Sequence, residues 1–462
     1  MKLKLIASLG VICGMNLHGF SQTLKLEDAL TRAVEQYDQI KSKQFVASAA
    51  KQHTVFQKQQ YLPDLTLAAQ QSFGTINAQH GPMYAYGGLA SGATSMPLAE
   101  QNWNAAFGSL YFANINWNVY TFGRIKNQVL LGSIKEQTTE ADLVQEIFQH
   151  KIKTSAAYLN LLASQRIKYV QEKNLDRAQV FYEMTAARAE SGLIAEVDAQ
   201  LAKAEVSNAK SLQIKSYDKE LEYSKQLAIL LNDDFKTYQL DTTYNTSIPN
   251  STVAPLASSV EKHPFLLFQN SKINESIQTE EILKSNRMPS VSAFGVLQGR
   301  GTGFDWNYMQ DNSAYSSNYF KGVGINRANY LLGVSLSWNL TNIFRFDTRN
   351  KEQKLYTQAI QREYEKHKKD FMAQSLLADS QLKNAIDNFK ETEIQLSAAS
   401  LAYKQHNALY ENGLTTLVDY TQALYSLNRA EIDYEIAQNN VWQALLLLAA
   451  AQGDFNIFLH HS

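Results

Sequence analysis

Cysteine is almost missing from this chain: one residue, Cys13, among 462. It lies in an N-terminal apolar run, and Ile12 before it, in place of a small residue, argues against a lipoprotein cleavage site. A chain that loses this run keeps no thiol, which excludes disulfides and cysteine-built metal sites. Proline is scarce too: there are seven, none within 98–248 or 290–462. Glycine is absent between Gly132 and Gly192 and between Gly333 and Gly413. Excess charge of either sign is lacking, with a formal net of −1, so nothing draws the chain to nucleic acid or acidic lipid. The Lys366-His367-Lys368-Lys369 cluster sits inside a helical pattern and reads as a solvated face. Past the N-terminus no run approaches the roughly 18 apolar residues of a membrane-spanning helix. The best, Ala444 to Ala451, has eight residues. If this chain enters a membrane, strands must do it.

What is present begins with an address. Lys2 and Lys4 precede the apolar stretch Leu5 to Met15, and Gly19-Phe20-Ser21 places small residues at the −3 and −1 positions. Residues 1–21 read as a secretory signal peptide cleaved before Gln22.

The chain also repeats itself. Glu190-Ser191-Gly192-Leu193 and Val197-Asp198 return as Glu411-Asn412-Gly413-Leu414 and Val418-Asp419, 221 residues later. The same offset relates Trp117-Asn118 to Trp338-Asn339 and Arg124 to Arg345, and an offset of 226 relates Pro63 to Pro289. The period is too long for a solenoid. It predicts one unit built twice, over 22–240 and 241–462.

The stretches without proline and glycine are rich in Ala, Leu, Gln, Glu and Lys, the strong helix formers. They predict long helices over 125–191 and 347–412, each about 100 Å at ~1.5 Å per residue. Second helices are predicted over 196–231 and 417–450. Helices so long and only half apolar must pack side by side as coiled coils. Gly192 and Gly413 are the turns between them, where a left-handed backbone suits glycine. Shorter helical segments, about 26–60 and 257–286, open the two halves.

Strands are predicted at about 62–74, 104–122, 288–298 and 330–341. Tyr111, Ala113, Ile115, Trp117 and Val119 alternate with Asn114, Asn116 and Asn118. In the second half Leu332, Val334, Leu336, Trp338 and Leu340 alternate with Gly333, Ser335, Ser337 and Asn339. Long polar loops, about 74–102 and 299–329, join the strand pairs. Nothing remains to form a core over these strands, so the apolar face is predicted to meet lipid and the amide face water. Four strands cannot close a barrel, and open edges are not tolerated in lipid. Several copies must share one barrel.

With these features the chain resembles the TolC-like outer-membrane efflux protein family across residues 22–462. The motifs that carry the resemblance are Ser191 through Gln200, Gly413 through Ala423, the opening Leu24 to Leu30, and the strand ends before Arg124 and Arg345. The resemblance implies a mainly α protomer with transmembrane β-strands. Three copies would form a 12-stranded outer-membrane barrel on a long periplasmic α-helical tunnel. It implies an exit duct of a tripartite efflux or type I secretion system, partnered by a periplasmic adaptor and an inner-membrane transporter. Gly192, Leu193, Gly413 and Leu414 match the tip that meets the adaptor. Asp198, Asp419 and Tyr410 match residues of the gate. Thr415 stands where the family has an arginine and Gln422 where it has a second acid, which implies weaker cation selectivity than a two-acid ring gives.

The same pattern is compatible with an exported coiled-coil structural protein or adhesin whose strands form a soluble sheet. An enzyme is not expected: no Ser/His/Asp arrangement and no histidine pair at metal spacing is visible, and no cofactor is predicted. Gly299-Arg300-Gly301-Thr302-Gly303 looks like part of a nucleotide loop but leads into a polar stretch rather than a helix, so it reads as surface loop.

Overall fold

The computed structural model describes residues 23–78, 84–85, 90–91, 96–245, 248–249 and 260–459. The signal-peptide reading and Cys13 lie outside them. The chain forms two compact units. One draws on residues 48–137 and 272–360 and holds the strands; the other draws on 1–47, 138–271 and 361–462 and is helical. No described helix is long and apolar enough to cross a membrane.

In the strand unit, β1 (Asp64–Thr75), β4 (Ala105–Tyr120), β5 (Ser290–Thr302) and β6 (Arg327–Ser337) form one antiparallel sheet in the order β1-β4-β5-β6. A two-residue pair, β2 (Tyr84–Ala85) and β3 (Ala90–Ser91), lies in the connection between β1 and β4. Directly opposed residues share a face of a sheet. Leu65, Ile115, Gly295 and Leu332 make one such row, and Leu67, Ala113, Leu297 and Tyr330 the next. This face is apolar, and its large side chains are exposed, Leu332 to 76%. Gly295 leaves room in its row: a Cβ there would meet Ile115 and Leu332 side-chain carbons at 3.0 Å.

The second face carries Thr66, Asn114, Asn116, Ser335 and Ser337, as the alternation predicts, but is less uniform. Phe294 lies on it opposite Gly333, whose absent side chain makes room for the ring. A bulge between Asn118 and Tyr120 shifts the register, so Tyr120 rather than Val119 sits opposite Val291 on the apolar face.

Several boundaries differ from the sequence reading, among them the start of α5 (Pro264–Ser285), at 264 rather than 257, and of β6, at 327 rather than 330. β6 ends at Ser337 and the next helix, α7 (Thr341–Glu411), starts four residues on, so Trp338, Asn339 and Leu340 lie past the strand. The Asn339 side chain accepts hydrogen bonds from the Thr341 N–H and hydroxyl at 3.2 and 2.6 Å, turning the chain at that point. The Trp338 indole donates to the Arg287 carbonyl at 3.0 Å, as the Trp117 indole donates to the Tyr61 carbonyl at 2.9 Å. Lastly, Gly299 to Thr302 is strand, not loop. A helix, α6 (Tyr319–Val323), and the residues after it fold onto this end of the sheet, where a Cβ on Gly301 would come within 2.1 Å of the Gly324 carbonyl oxygen.

The remaining helices are α1 (Leu26–Gln36), α2 (Asp38–Gln59), α3 (Arg124–Glu190), α4 (Glu196–Leu231), α5 (Pro264–Ser285), α8 (Leu417–Gln452) and α9 (Asn456–Leu459). The opening helix is broken at Tyr37, whose extended backbone lets its ring stack on His150 at 3.9 Å. α5 starts with proline at its first position, and the His263 ring nitrogen caps it by accepting from the Phe265 N–H at 3.1 Å.

In the helical unit, α8 supplies more of the core than any other element. Val441, Trp442, Leu445, Leu446 and Leu448 pack with Tyr158, Leu161, Leu227 and Leu231. Two buried polar groups there are satisfied by backbone: the Trp442 indole donates to the Tyr244 carbonyl at 2.8 Å, and the Tyr158 hydroxyl to that of Leu24 at 2.8 Å.

Candidate functional site

Two turns join α3 to α4 and α7 to α8, and both are built alike. Gly192 and Gly413 have φ of +70° and +72°, the left-handed region in which a side chain is strained. The glycine N–H donates three residues back, to Ala189 and Tyr410, and the following leucine N–H donates five back, to Arg188 and Leu409. That pair of bonds is a Schellman closure, which satisfies carbonyls the helix end leaves open. It turns Leu193 and Leu414 outward, 74% and 72% exposed. Two exposed leucines on adjacent turns of one unit are an apolar surface without a cover among the described residues.

Beneath the turns lies a small aromatic core. Phe181, Ala202, Tyr410, Leu417, Tyr420 and Leu424 are buried together, drawn from α3, α4, α7 and α8. The Phe181 ring stacks on Tyr420 at 4.0 Å and lies 5.2 Å from Tyr410. Tyr410 is 6% exposed, with a structural place in this core. Burial pushes the Tyr420 hydroxyl well above the usual phenol range, and that hydroxyl lies 3.3 Å from the Tyr403 hydroxyl.

The two acids differ. Asp419 is exposed at the third position of α8 and forms a capping box with Thr416. Its carboxylate accepts from the Thr416 hydroxyl at 2.6 Å, the Thr415 hydroxyl at 3.1 Å and the Thr416 N–H at 3.3 Å. Those bonds, the Thr416 hydroxyl first, hold its pKa below the usual carboxylate range. Thr415, standing where the resemblance implies an arginine, thus becomes a second ligand to this acid. Asp198 occupies the same position in α4, half-buried, but the N-cap is Ala195 and offers no side-chain acceptor. No hydrogen bond or ion pair among the described residues joins Asp198, Asp419 and Tyr410 to one another.

Sequence reading missed the residues that tie one turn to the other. Arg188, in the last turn of α3, donates to the Tyr410 carbonyl at 3.0 Å and to the Glu411 carbonyl at 2.5 Å. A cation thus sits on the C-terminal, negative end of α7. Arg177 makes a two-pronged bond to Glu431 at 2.8 and 2.6 Å, linking α3 to α8, and the Tyr425 hydroxyl donates to buried Glu205 on α4. A basic residue near a helix end was visible in sequence; that its partner is another helix's terminus was not. No group of three His, Cys, Asp or Glu among the described residues could hold a metal ion.

Comparisons with known proteins place this geometry. No protein-family model matches the chain, and neither does any curated protein. Solved structures do match. CusC, described with its transmembrane channel formation, superposes with a TM-score of 0.76 at 13% identity, covering 94% of this chain and 93% of its own. The CmeC outer membrane channel of Campylobacter jejuni gives 0.74 at 14%, covering 93% and 85%. The open state of the MtrE outer membrane channel of Neisseria gonorrhoeae gives 0.72 at 15%, covering 93% and 89%.

Proposed function

We propose that this chain, which has the fold of the TolC-like outer-membrane channels, is one protomer of an outer-membrane exit duct for efflux or secretion. The observation that carries the reading is the four-stranded sheet: one face apolar and exposed, both edges, β1 and β6, unpaired among the described residues. Such a sheet is stable in lipid only if other copies close it. Three copies would supply twelve strands, an allowed barrel size. Its paired Trp117 and Trp338 indoles then belong to the aromatic girdle at one membrane interface.

In this reading the tip of Gly192, Leu193, Gly413 and Leu414 meets a periplasmic adaptor, which couples the passive duct to an inner-membrane transporter. Asp198 and Asp419 line the narrow entrance, and Tyr410 anchors the helix ends that surround it. With Gln422 in place of a second acid and Asp419 engaged by its cap, the entrance has weak cation selectivity. Strong cation selectivity abolished by Asp419→Ala would contradict that point.

The test of the channel is electrical. Protein extracted from outer membranes into detergent and added to a planar lipid bilayer gives discrete conductance steps; silent protein that fractionates as a soluble coiled-coil assembly contradicts the reading. The test of docking is Leu414→Asp. Export falls while folding and membrane insertion persist, and unchanged export removes the docking role.

A further inference from the structure

The four main strands carry three charged residues: Asp64, Arg300 and Arg327. The two arginines sit directly opposite one another on β5 and β6. They complete the row Gln70, Leu110, Arg300, Arg327, which lies on the same face as Asn114 and Asn116. In the duct proposed above, on which this inference rests, that face lines the water.

The register cannot slip to hide them. Gly299 and Gly301 flank Arg300 and face the other way, where residues 322–325 pack. A Cβ on Gly299 would stand 3.0 Å from the Ile325 side chain, and one on Gly301 would clash with backbone. The Arg300 carbonyl accepts from the Asn326 N–H at 2.8 Å, pinning the same segment. The Gly-Arg-Gly-Thr-Gly motif thus alternates: small residues under a packed loop, a guanidinium on the opposite face.

Among the described residues no nearby acid neutralises the pair on that face. Asp64 is level with Phe294, six residues from Arg300 along β5, or about 20 Å at ~3.3 Å per residue. That exceeds two Debye lengths, each about 8 Å at physiological salt. Of the loop acids, Asp305 pairs with Lys321 at 3.1 Å, Asp311 accepts from Ser313, and Glu100 is exposed in the connection from β1 to β4. Arg327 donates to the Asn326 carbonyl at 3.4 Å, a neutral partner. Like charges directly opposed across a sheet are destabilising. An anion between two guanidiniums relieves the repulsion, since each presents a planar fork that fits carboxylate or phosphate.

We propose that Arg300 and Arg327 form an anion-attracting collar at the loop end of the strands, so that the exit concentrates anionic solutes. Three copies would place six guanidiniums at one level, the arrangement expected of an anion pore.

The test uses the full-length protein from outer membranes in planar bilayers, with inorganic tripolyphosphate as the probe. Tripolyphosphate added on one side only blocks single-channel current. In the R300Q/R327Q double variant the half-blocking concentration rises about tenfold or more, as expected for a focused charge ring. Each single variant falls between, and heat-modifiable mobility equal to the parent shows that the barrel is intact. Block unchanged by the substitutions, or equal from both sides, overturns the collar and leaves the duct standing. Absence of conductance steps in every preparation overturns the duct itself and the collar with it.

Discussion

The turn at Gly192 and the turn at Gly413 share a backbone and differ in how the next helix starts. Both close a long helix with the same two hydrogen bonds and expose a leucine. Only the second begins its next helix with a capping box, Thr416 with Asp419. The first begins at Ala195, which has nothing to cap with. Backbone geometry was therefore dictated by glycine in both, whereas the acid three residues into the helix has unequal work. Asp419 is committed to its helix, and the Asp198 carboxylate has no side-chain cap to join.

The change expected to disturb both turns most is Phe181→Ala. The ring touches Tyr410 and Tyr420 and sits in the core beneath both, so the loss is about 3–5 kcal/mol, typical of a buried aromatic. Amide hydrogen exchange at both turns accelerates together; acceleration confined to one would show that they are not joined by this core. Next come Gly192→Val and Gly413→Val, each about 1–2 kcal/mol because a side chain must enter the left-handed region. Their nearly equal φ predicts equal costs in chemical denaturation.

Smaller still, Thr416→Ala costs about 1 kcal/mol at the second turn alone. Ala195→Ser, which would place an acceptor three residues before Asp198, gains a similar amount at the first. A Thr416→Ala effect seen equally at both turns would break the comparison.

Acid sharpens it further. The Asp419 pKa is depressed in the folded chain, so its contribution is present above the ordinary carboxylate value and is lost as pH falls through the depressed one. Exchange at the second turn should rise selectively as pH falls below about 4, the ordinary aspartate value. Equal response of the first turn would contradict the cap as the cause. The smallest effect is that of Asp198→Asn, within about 0.5 kcal/mol in folding, as for a residue outside any such network.

Much of the fold was legible in local chemistry. Helix formers uninterrupted by proline mark α3, α4, α7 and α8, glycine marks the turns, and alternation marks one face of the strands. What escaped was set by contacts between distant segments. The strand at Gly299 to Thr302 looked like loop because its glycines serve residues 322–325, which no local rule announces. The end of β6 depended on the Asn339 side chain meeting Thr341, and the shift at Val119 on a bulge. Around the turns, the glycines and leucines could be named from sequence. Arg188 could not, because its role lies in the carbonyls of Tyr410 and Glu411, over 220 residues away.

The most direct test is the mass of the particle released from outer membranes by mild detergent, measured by native mass spectrometry. A sheet with two open edges and an apolar face predicts several chains per particle, three in the proposed duct, released to single chains on heating. A single chain that stays in solution without detergent would contradict it.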